Sequence, residues 1–270
     1  MLDDFGLFSD FGSKIFLNRK VFKESHVPNI EKYRNIEMRK MASASMDIQD
    51  NLPPHNILIS GNYATGKTTA LLKFLDLLMK EFTNVHYVYI DCNDCVNARD
   101  VYSIIYKNIH SQCRDIEGRG NTWIIDQIRE YVSHYGDILI IALDDLQSFK
   151  HKEINNLIRV LIKNKSEYHT KIAIFAIHQT GDLSLDADID SVFDPVEIVF
   201  NDYSYEQLCS ILEERCLEGF YPNVIDMDLV RLIAKRCYEC GNLRYGIKCL
   251  GKAGNNAENV GSDKILIEHI

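Results

Sequence analysis

The chain has 270 residues, of which 46% are apolar and 26% charged, and a net charge of −9. That length and composition can bury a sizeable core as one large or two modest domains. No stretch approaches the roughly 18 to 20 uncharged apolar residues that span a bilayer, and the opening MLDDFGLFSD is acidic where a secretion signal is basic. A cytoplasmic protein with no membrane partner is expected. The negative balance excludes a globally basic DNA binder, so contact with nucleic acid would need a local patch, other subunits or a further domain.

Residues 1–50 are polar and mixed, with a short apolar cluster at Ile15, Phe16, Val21 and Phe22 and a charged helical pattern over 30–41. After the breaker Asn51-Leu52-Pro53-Pro54, short apolar runs alternate with segments of helical period. Strands are predicted at 56–60, 85–90, 138–143, 172–177 and 196–200, near-continuous in Ile, Val, Leu, Ala, Phe and Tyr as parallel strands covered on both faces are. Helices are predicted at 68–80, 101–112, 122–135 and 152–164. Beyond residue 200 only helical patterns remain, at 204–218, 226–238 and 242–257. The expected fold is α/β, a parallel five-stranded sheet sandwiched by helices and followed by a small all-helical lid. The expected divisions are an N-terminal segment 1–50, a base domain 51–200, a lid 201–258 and a tail 259–270.

The strongest motif is Gly61-Asn62-Tyr63-Ala64-Thr65-Gly66-Lys67-Thr68, followed by Thr69, which fits G-x-x-x-x-G-K-[ST] between a predicted strand and a predicted helix. Such a P-loop lets backbone N–H groups close around a β-phosphate at the positive end of the following helix, with Lys67 reaching the β- and γ-phosphates and Thr68 ligating Mg²⁺. Ile138 to Leu143 then form an apolar strand ending in Asp144 and Asp145. Asp144 at the strand tip would hold Mg²⁺ through water, because the metal bridges β- and γ-oxygens. ATP or ADP with Mg²⁺ are the expected cofactors. Cys92/Cys95 and Cys237/Cys240 have the spacing of zinc-binding pairs, but they lie far apart, and small buried hydrophobes are the expectation for them.

On these motifs the sequence resembles the archaeal replication initiators of the AAA+ class, related to origin recognition complex subunits and to the cell-division-cycle-six loader. The resemblance covers nearly the whole chain. Residues 15–28, ending in Val27-Pro28, look like the family segment that folds over the adenine, and Tyr33-Arg34 stands where the family has a His-Arg pair. The resemblance implies that Val27, Pro28, Arg34 and Tyr203 lie near the adenine. It also implies that Gln179 stands at the polar sensor-one position, and that Arg244, in Gly241-Asn242-Leu243-Arg244, reaches the γ-phosphate from the lid. Ile90-Asp91-Cys92 and the run from Asn97 resemble the strand and helix leading into a DNA-contacting insertion.

Three departures shape the functional expectation. Asp145 stands where most AAA+ proteins carry a water-polarising Glu, one methylene longer. Between Gln179 and Glu197 there is no Lys or Arg, and Asp188 falls where the family places an arginine finger, which is worth about 10³ to 10⁵ in rate. The family continues into a winged helix, whereas only residues 260–270 follow the last helical pattern, so sequence-specific origin binding is not assigned to these residues. The expectation is an ATP-dependent switch in origin recognition or helicase loading, with Asp145, Gln179 and Arg244 as catalytic groups and weak or partner-dependent hydrolysis. Double-stranded DNA, bound weakly by this chain alone, and other initiator or helicase-loading subunits are the expected partners. The alternatives are an active clamp-loader-like or regulatory ATPase and a non-hydrolysing nucleotide-bound interaction module.

Overall fold

Five parallel strands, β1 (Ile57–Gly61), β2 (Val85–Asp91), β3 (Ile138–Asp144), β4 (Ile172–Gln179) and β5 (Val196–Phe200), form one sheet in the order β2-β3-β4-β1-β5. The computed structural model describes residues 13–23, 26, 33–110, 116–162, 170–179, 181, 183 and 185–270. They divide into two compact units. The base comprises Arg34–Asn62 and Gly66–Asn201; the lid comprises the described residues up to Tyr33, Tyr63–Thr65 and Asp202–Ile270.

The continuous apolar runs of β1, β3 and β4 become buried strands because helices cover both faces at the centre of the sheet, whereas the edge strands β2 and β5 are only partly covered, leaving His86, Glu197 and Val199 exposed. Successive residues of β3 alternate between two cores: Leu139, Ile141 and Leu143 pack with α3 (Ala98–Ile109), α4 (Asn121–Tyr135) and α5 (His151–Ile162), while Ile138, Ile140 and Ala142 pack with α1 (Asn35–Ala44) and α2 (Lys67–Glu81). Every residue of β3 is buried. Parallel register brings the strand C-terminal ends level, with Asp91 opposite Asp144 and Gly61 opposite Gln179, and a doubly wound sheet binds its ligand along that edge.

The helical pattern at 30–41 becomes α1 at Asn35–Ala44. A seven-residue helix, α6 (Ala187–Phe193), was not expected; it is short and acidic, but Ile189 and Phe193 bury into the α3–α5 core.

In the lid, α7 (Tyr205–Gly219), α8 (Met227–Cys240) and α9 (Leu243–Asn259) each start at a polar cap: Ser204 in a capping box with Gln207, Asp226 and Asn242. The lid also includes chain that the sequence places elsewhere. Phe16 pairs with Phe220 across an antiparallel bridge, and the Phe16, Phe22 and Phe220 rings lie 4.5 to 5.9 Å apart. Gly254 in α9 makes room for this cluster, since a Cβ there would stand 2.3 Å from Phe16. Ser13 donates to Glu258 and Arg19 pairs with it. The expected N-terminal segment 1–50 is therefore divided, its described residues before 34 joining the lid and 34–50 the base. Residues 259–270 are not a free tail: Ile265 is buried beside Ile225 and His269 is buried against α9.

Candidate functional site: a phosphate and metal edge

The turn from β1 into α2 is built by backbone conformations that fit its sequence. Gly61 has φ +152, and a Cβ there would stand 2.4 Å from the carbonyl oxygen of Phe200 on β5, so only glycine permits this pairing. Gly66 caps α2 at φ 85, and Ala64 lies at φ 60. Thr65 and Lys67 are buried. Lys67 Nζ donates to the carbonyls of Gly61 at 2.8 Å and Asn62 at 2.6 Å. Asn62 is exposed, and Thr69 lies in the first turn of α2.

Thr68 and Asp144 meet at the end of β3. Thr68 Oγ1 donates to Asp144 Oδ2 at 2.6 Å, Tyr89 Oη donates to the same oxygen at 2.9 Å, and the Asp145 N–H donates to Asp144 Oδ1 at 2.9 Å. Burial pushes the Asp144 carboxyl above the usual carboxylate range. The two hydroxyl donors oppose that shift, and the neighbouring Asp145 charge adds to it. A cation beside Asp144 would relieve this burial cost. A threonine hydroxyl and one buried carboxylate are hard oxygen donors that fit Mg²⁺, which takes few protein ligands and completes its shell with phosphate and water. Among the described residues no group of three or more His, Cys, Asp and Glu is gathered for a metal. Cys92 and Cys95 lie at the end of β2 in the base, and Cys237 and Cys240 in α8 of the lid. Burial raises the Cys92 thiol, and it pushes Cys237 up to about 11.

Asp145, at φ 51, turns away from the strand into a network that sequence reasoning missed. Asn93 Nδ2 donates to its Oδ2 at 2.8 Å and Gln147 Nε2 to its Oδ1 at 3.0 Å, so each oxygen carries an amide donor. The Oε1 of Gln147 accepts from the backbone N–H of Gln179 at 3.2 Å, tying the end of β4 to Asp145. Asn93, two residues past β2, is placed by the pairing of Asp91 with Asp144, a register that no local pattern encodes.

Arg34 is buried in the base, pairs with Glu37 at 3.0 Å, donates to the Asn201 carbonyl at 2.7 Å and lies over the Phe200 ring. Tyr203 packs half-buried against the lid core, and Arg244 is exposed in the first turn of α9. Val27 and Pro28 lie outside the described residues. Asp188, on exposed α6, pairs with Arg159 at 2.7 Å.

Residues 53–183 match the model of an AAA domain, and residues 209–270 match that of the Cdc6 AAA+ ATPase-type lid domain. The chain is 31% identical over 260 residues to an ORC1-type DNA replication protein 2 of Methanothermobacter thermautotrophicus, covering 95% of this chain and 69% of that relative. It belongs to the ORC1-type DNA replication proteins. A second ORC1-type protein 2, from Archaeoglobus fulgidus, is 28% identical over 263 residues, 97% of this chain and 69% of the relative. Among solved structures, the Aeropyrum pernix ORC1 protein in complex with DNA superposes with a TM-score of 0.83 at 25% identity, over 95% of this chain and 68% of that one. Cdc6p from Pyrobaculum aerophilum shares the fold with a TM-score of 0.82 at 20% identity, over 95% and 70% of the two chains. This ORC1-type chain is thus an archaeal-type AAA+ replication initiator, of a class that binds nucleotide, typically with Mg²⁺. Among its described residues no helix is long and apolar enough to cross a membrane.

Proposed function

We propose that this initiator is an ATP- and ADP-binding, Mg²⁺-dependent switch in origin recognition or helicase loading that hydrolyses ATP slowly or only with a partner. The observation that carries the reading is the contrast along the sheet edge. Lys67 is held on the carbonyls of Gly61 and Asn62 and Thr68 on Asp144, a set whose chemistry suits phosphate and metal, while Asp145 has both oxygens held by the amides of Asn93 and Gln147. A carboxylate so occupied, and one methylene shorter than Glu, is poorly placed to take a proton from water, and a well-placed base supplies roughly 10² to 10⁴ in rate.

In this reading the backbone of Gly61, Asn62, Ala64, Thr65, Gly66 and Thr69 wraps the phosphates, and Lys67 exchanges its two carbonyl contacts for β- and γ-phosphate oxygens. Thr68 and Asp144 hold Mg²⁺. Asp145 is the base, and Gln179 and Arg244 sense the γ-phosphate. Arg34, Tyr203, Val27 and Pro28 serve the adenine side. Asp188, already paired with Arg159, supplies no finger to a neighbouring subunit.

Double-stranded DNA is a proposed partner, since the Aeropyrum pernix ORC1 relative was solved in complex with DNA. A net charge of −9 limits that contact to a local patch and favours help from other initiator or helicase-loading subunits. Such a protein works in the cytoplasm, on the nucleoid. The test is ATP and ADP binding with single-turnover hydrolysis for the wild type, Lys67→Ala and Asp145→Glu. Tight binding lost in Lys67→Ala, negligible wild-type turnover and faster cleavage by Asp145→Glu support the switch. Brisk wild-type turnover defeats it in favour of an active ATPase.

A further inference from the structure

Two tyrosines on β2 face α2 and play no part in the phosphate site as the motifs define it. Tyr87 and Tyr89 are half-buried against the core that includes Leu71, Phe74 and Leu75 of α2. Tyr87 Oη donates to Asp76 of α2 at 2.7 Å. Tyr89 stands opposite Ala142 in the register, and alternation puts Ala142 and Asp144 on one face of β3. The length of a tyrosine covers that diagonal, which brings its hydroxyl 2.9 Å from Asp144 Oδ2.

That hydrogen bond is not simply what burial demands of a tyrosine. Among the described residues, none hydrogen-bonds the buried hydroxyls of Tyr102 and Tyr106, on the opposite face of the sheet. The Tyr89 hydroxyl instead lands on the one strand-tip carboxylate that also receives Thr68. An ionised carboxylate offers about four lone-pair sites. On Asp144, Thr68 and Tyr89 take Oδ2, and the Asp145 N–H takes one site on Oδ1. The remaining lone pair is on Oδ1.

We propose that Tyr89 is a positioning residue for the metal site. By filling the second lone pair of Oδ2 it fixes the rotation of the Asp144 carboxylate, so that Thr68 keeps its donor bond while turning its own lone pair to the cation. The open lone pair of Oδ1 would then be available to a water bound to the cation. This inference rests on the reading of Thr68 and Asp144 as the Mg²⁺ holders. Mg²⁺ demands near-octahedral geometry and tolerates a swinging ligand poorly, whereas Ca²⁺ accepts a looser shell. Tyr89 therefore sets both the strength of the Mg²⁺ contribution and the preference for Mg²⁺ over Ca²⁺.

The experiment is the affinity of a fluorescent ADP measured in EDTA, in Mg²⁺ and in Ca²⁺, for the wild type, Tyr89→Phe, Tyr87→Phe and Asp144→Asn. Outer-shell partners of a metal ligand are typically worth 10- to 100-fold in metal affinity. Because Thr68 and a backbone N–H still hold Asp144, Tyr89→Phe should sit at the lower end: about a tenfold loss of the Mg²⁺ increment, with EDTA affinity unchanged. Tyr87→Phe, which breaks the neighbouring bond to α2, should keep the increment. A Tyr89→Phe increment within twofold of wild type overturns the proposal, as does an equal loss in Tyr87→Phe, which would trace the effect to general strand–helix bracing. The Mg²⁺/Ca²⁺ ratio is read only on folded, nucleotide-bound molecules, so it decides the matter even if Tyr89→Phe is partly unfolded: a wild-type ratio overturns the proposal, a reduced one supports it. Retention of the full increment by Asp144→Asn would sink the metal reading itself, an outcome distinct from a null result at Tyr89 alone.

Discussion

Replacing Gly61 by Ala separates a steric requirement of the P-loop from a merely conformational one. At Gly61 the new Cβ meets the Phe200 carbonyl oxygen at 2.4 Å and the Phe200 Cβ at 3.0 Å, and the backbone is at φ +152. A non-glycine residue in such sparse backbone space costs about 1–3 kcal/mol. The clash adds roughly another 1–3 kcal/mol, because Phe200 is held in register on β5 and cannot retreat without opening the β1–β5 pairing. Gly136 is the control: it ends α4 at φ 68, yet nothing lies within 4 Å of its Cβ position. There Ala pays about 1–2 kcal/mol for the left-handed conformation and recovers about 0.4–1 kcal/mol from a stiffer unfolded chain. Urea denaturation followed by tryptophan fluorescence should place Gly61→Ala about 2–4 kcal/mol below Gly136→Ala. Gly61→Ala should also lose ADP affinity that Gly136→Ala keeps. Equal stabilities, or a Gly61→Ala protein with wild-type ADP affinity, would refute the argument that β5 dictates the first P-loop glycine.

Three further outcomes are expected. Asp145→Asn should lower whatever single-turnover hydrolysis the wild type shows, by less than the roughly 10² to 10⁴ that a well-placed base supplies, while ATP affinity holds, and an unchanged rate would remove Asp145 from the chemistry. Phe16→Ala should destabilise the lid by about 3–5 kcal/mol, read as a lower melting temperature. A small effect would mean that the N-terminal aromatics are dispensable. A thiol reagent should label exposed Cys240 quickly and buried Cys216 and Cys237 slowly, because burial pushes their thiols up to about 12 and about 11. Fast modification of Cys216 in the folded protein would contradict its placement.

The parts of the site legible in the sequence are those whose chemistry is local. The P-loop spells out its own turn, and Asp144 directly follows the apolar run of β3. Strand positions were legible because a sheet covered on both faces needs unbroken apolar runs; their ends extend to Gly61, Asp91, Asp144 and Gln179, the polar edge where apolarity stops being informative. Asn93, Gln147 and Tyr89 were not legible. Each is an ordinary polar residue until parallel register carries it to Asp144 or Asp145. Phe16 and Phe22 were visible as an apolar cluster, but nothing near them in the chain says that their partners are Phe220 and the glycines of α9.

That last arrangement has a consequence for synthesis. Ser13 and Glu258, joined by a hydrogen bond in the finished lid, are 245 positions apart. At about 5–20 residues per second, roughly 10–50 s of translation pass before the ribosome releases the second partner. Throughout that interval Phe16 and Phe22 have no α9 to bury against, while the last strand of the base ends at residue 200, 58 residues before Glu258. A nascent chain stalled after β5 should thus hold a folded base with two adhesive aromatics at its front, and the lid should be the last part of the molecule to become protease-resistant.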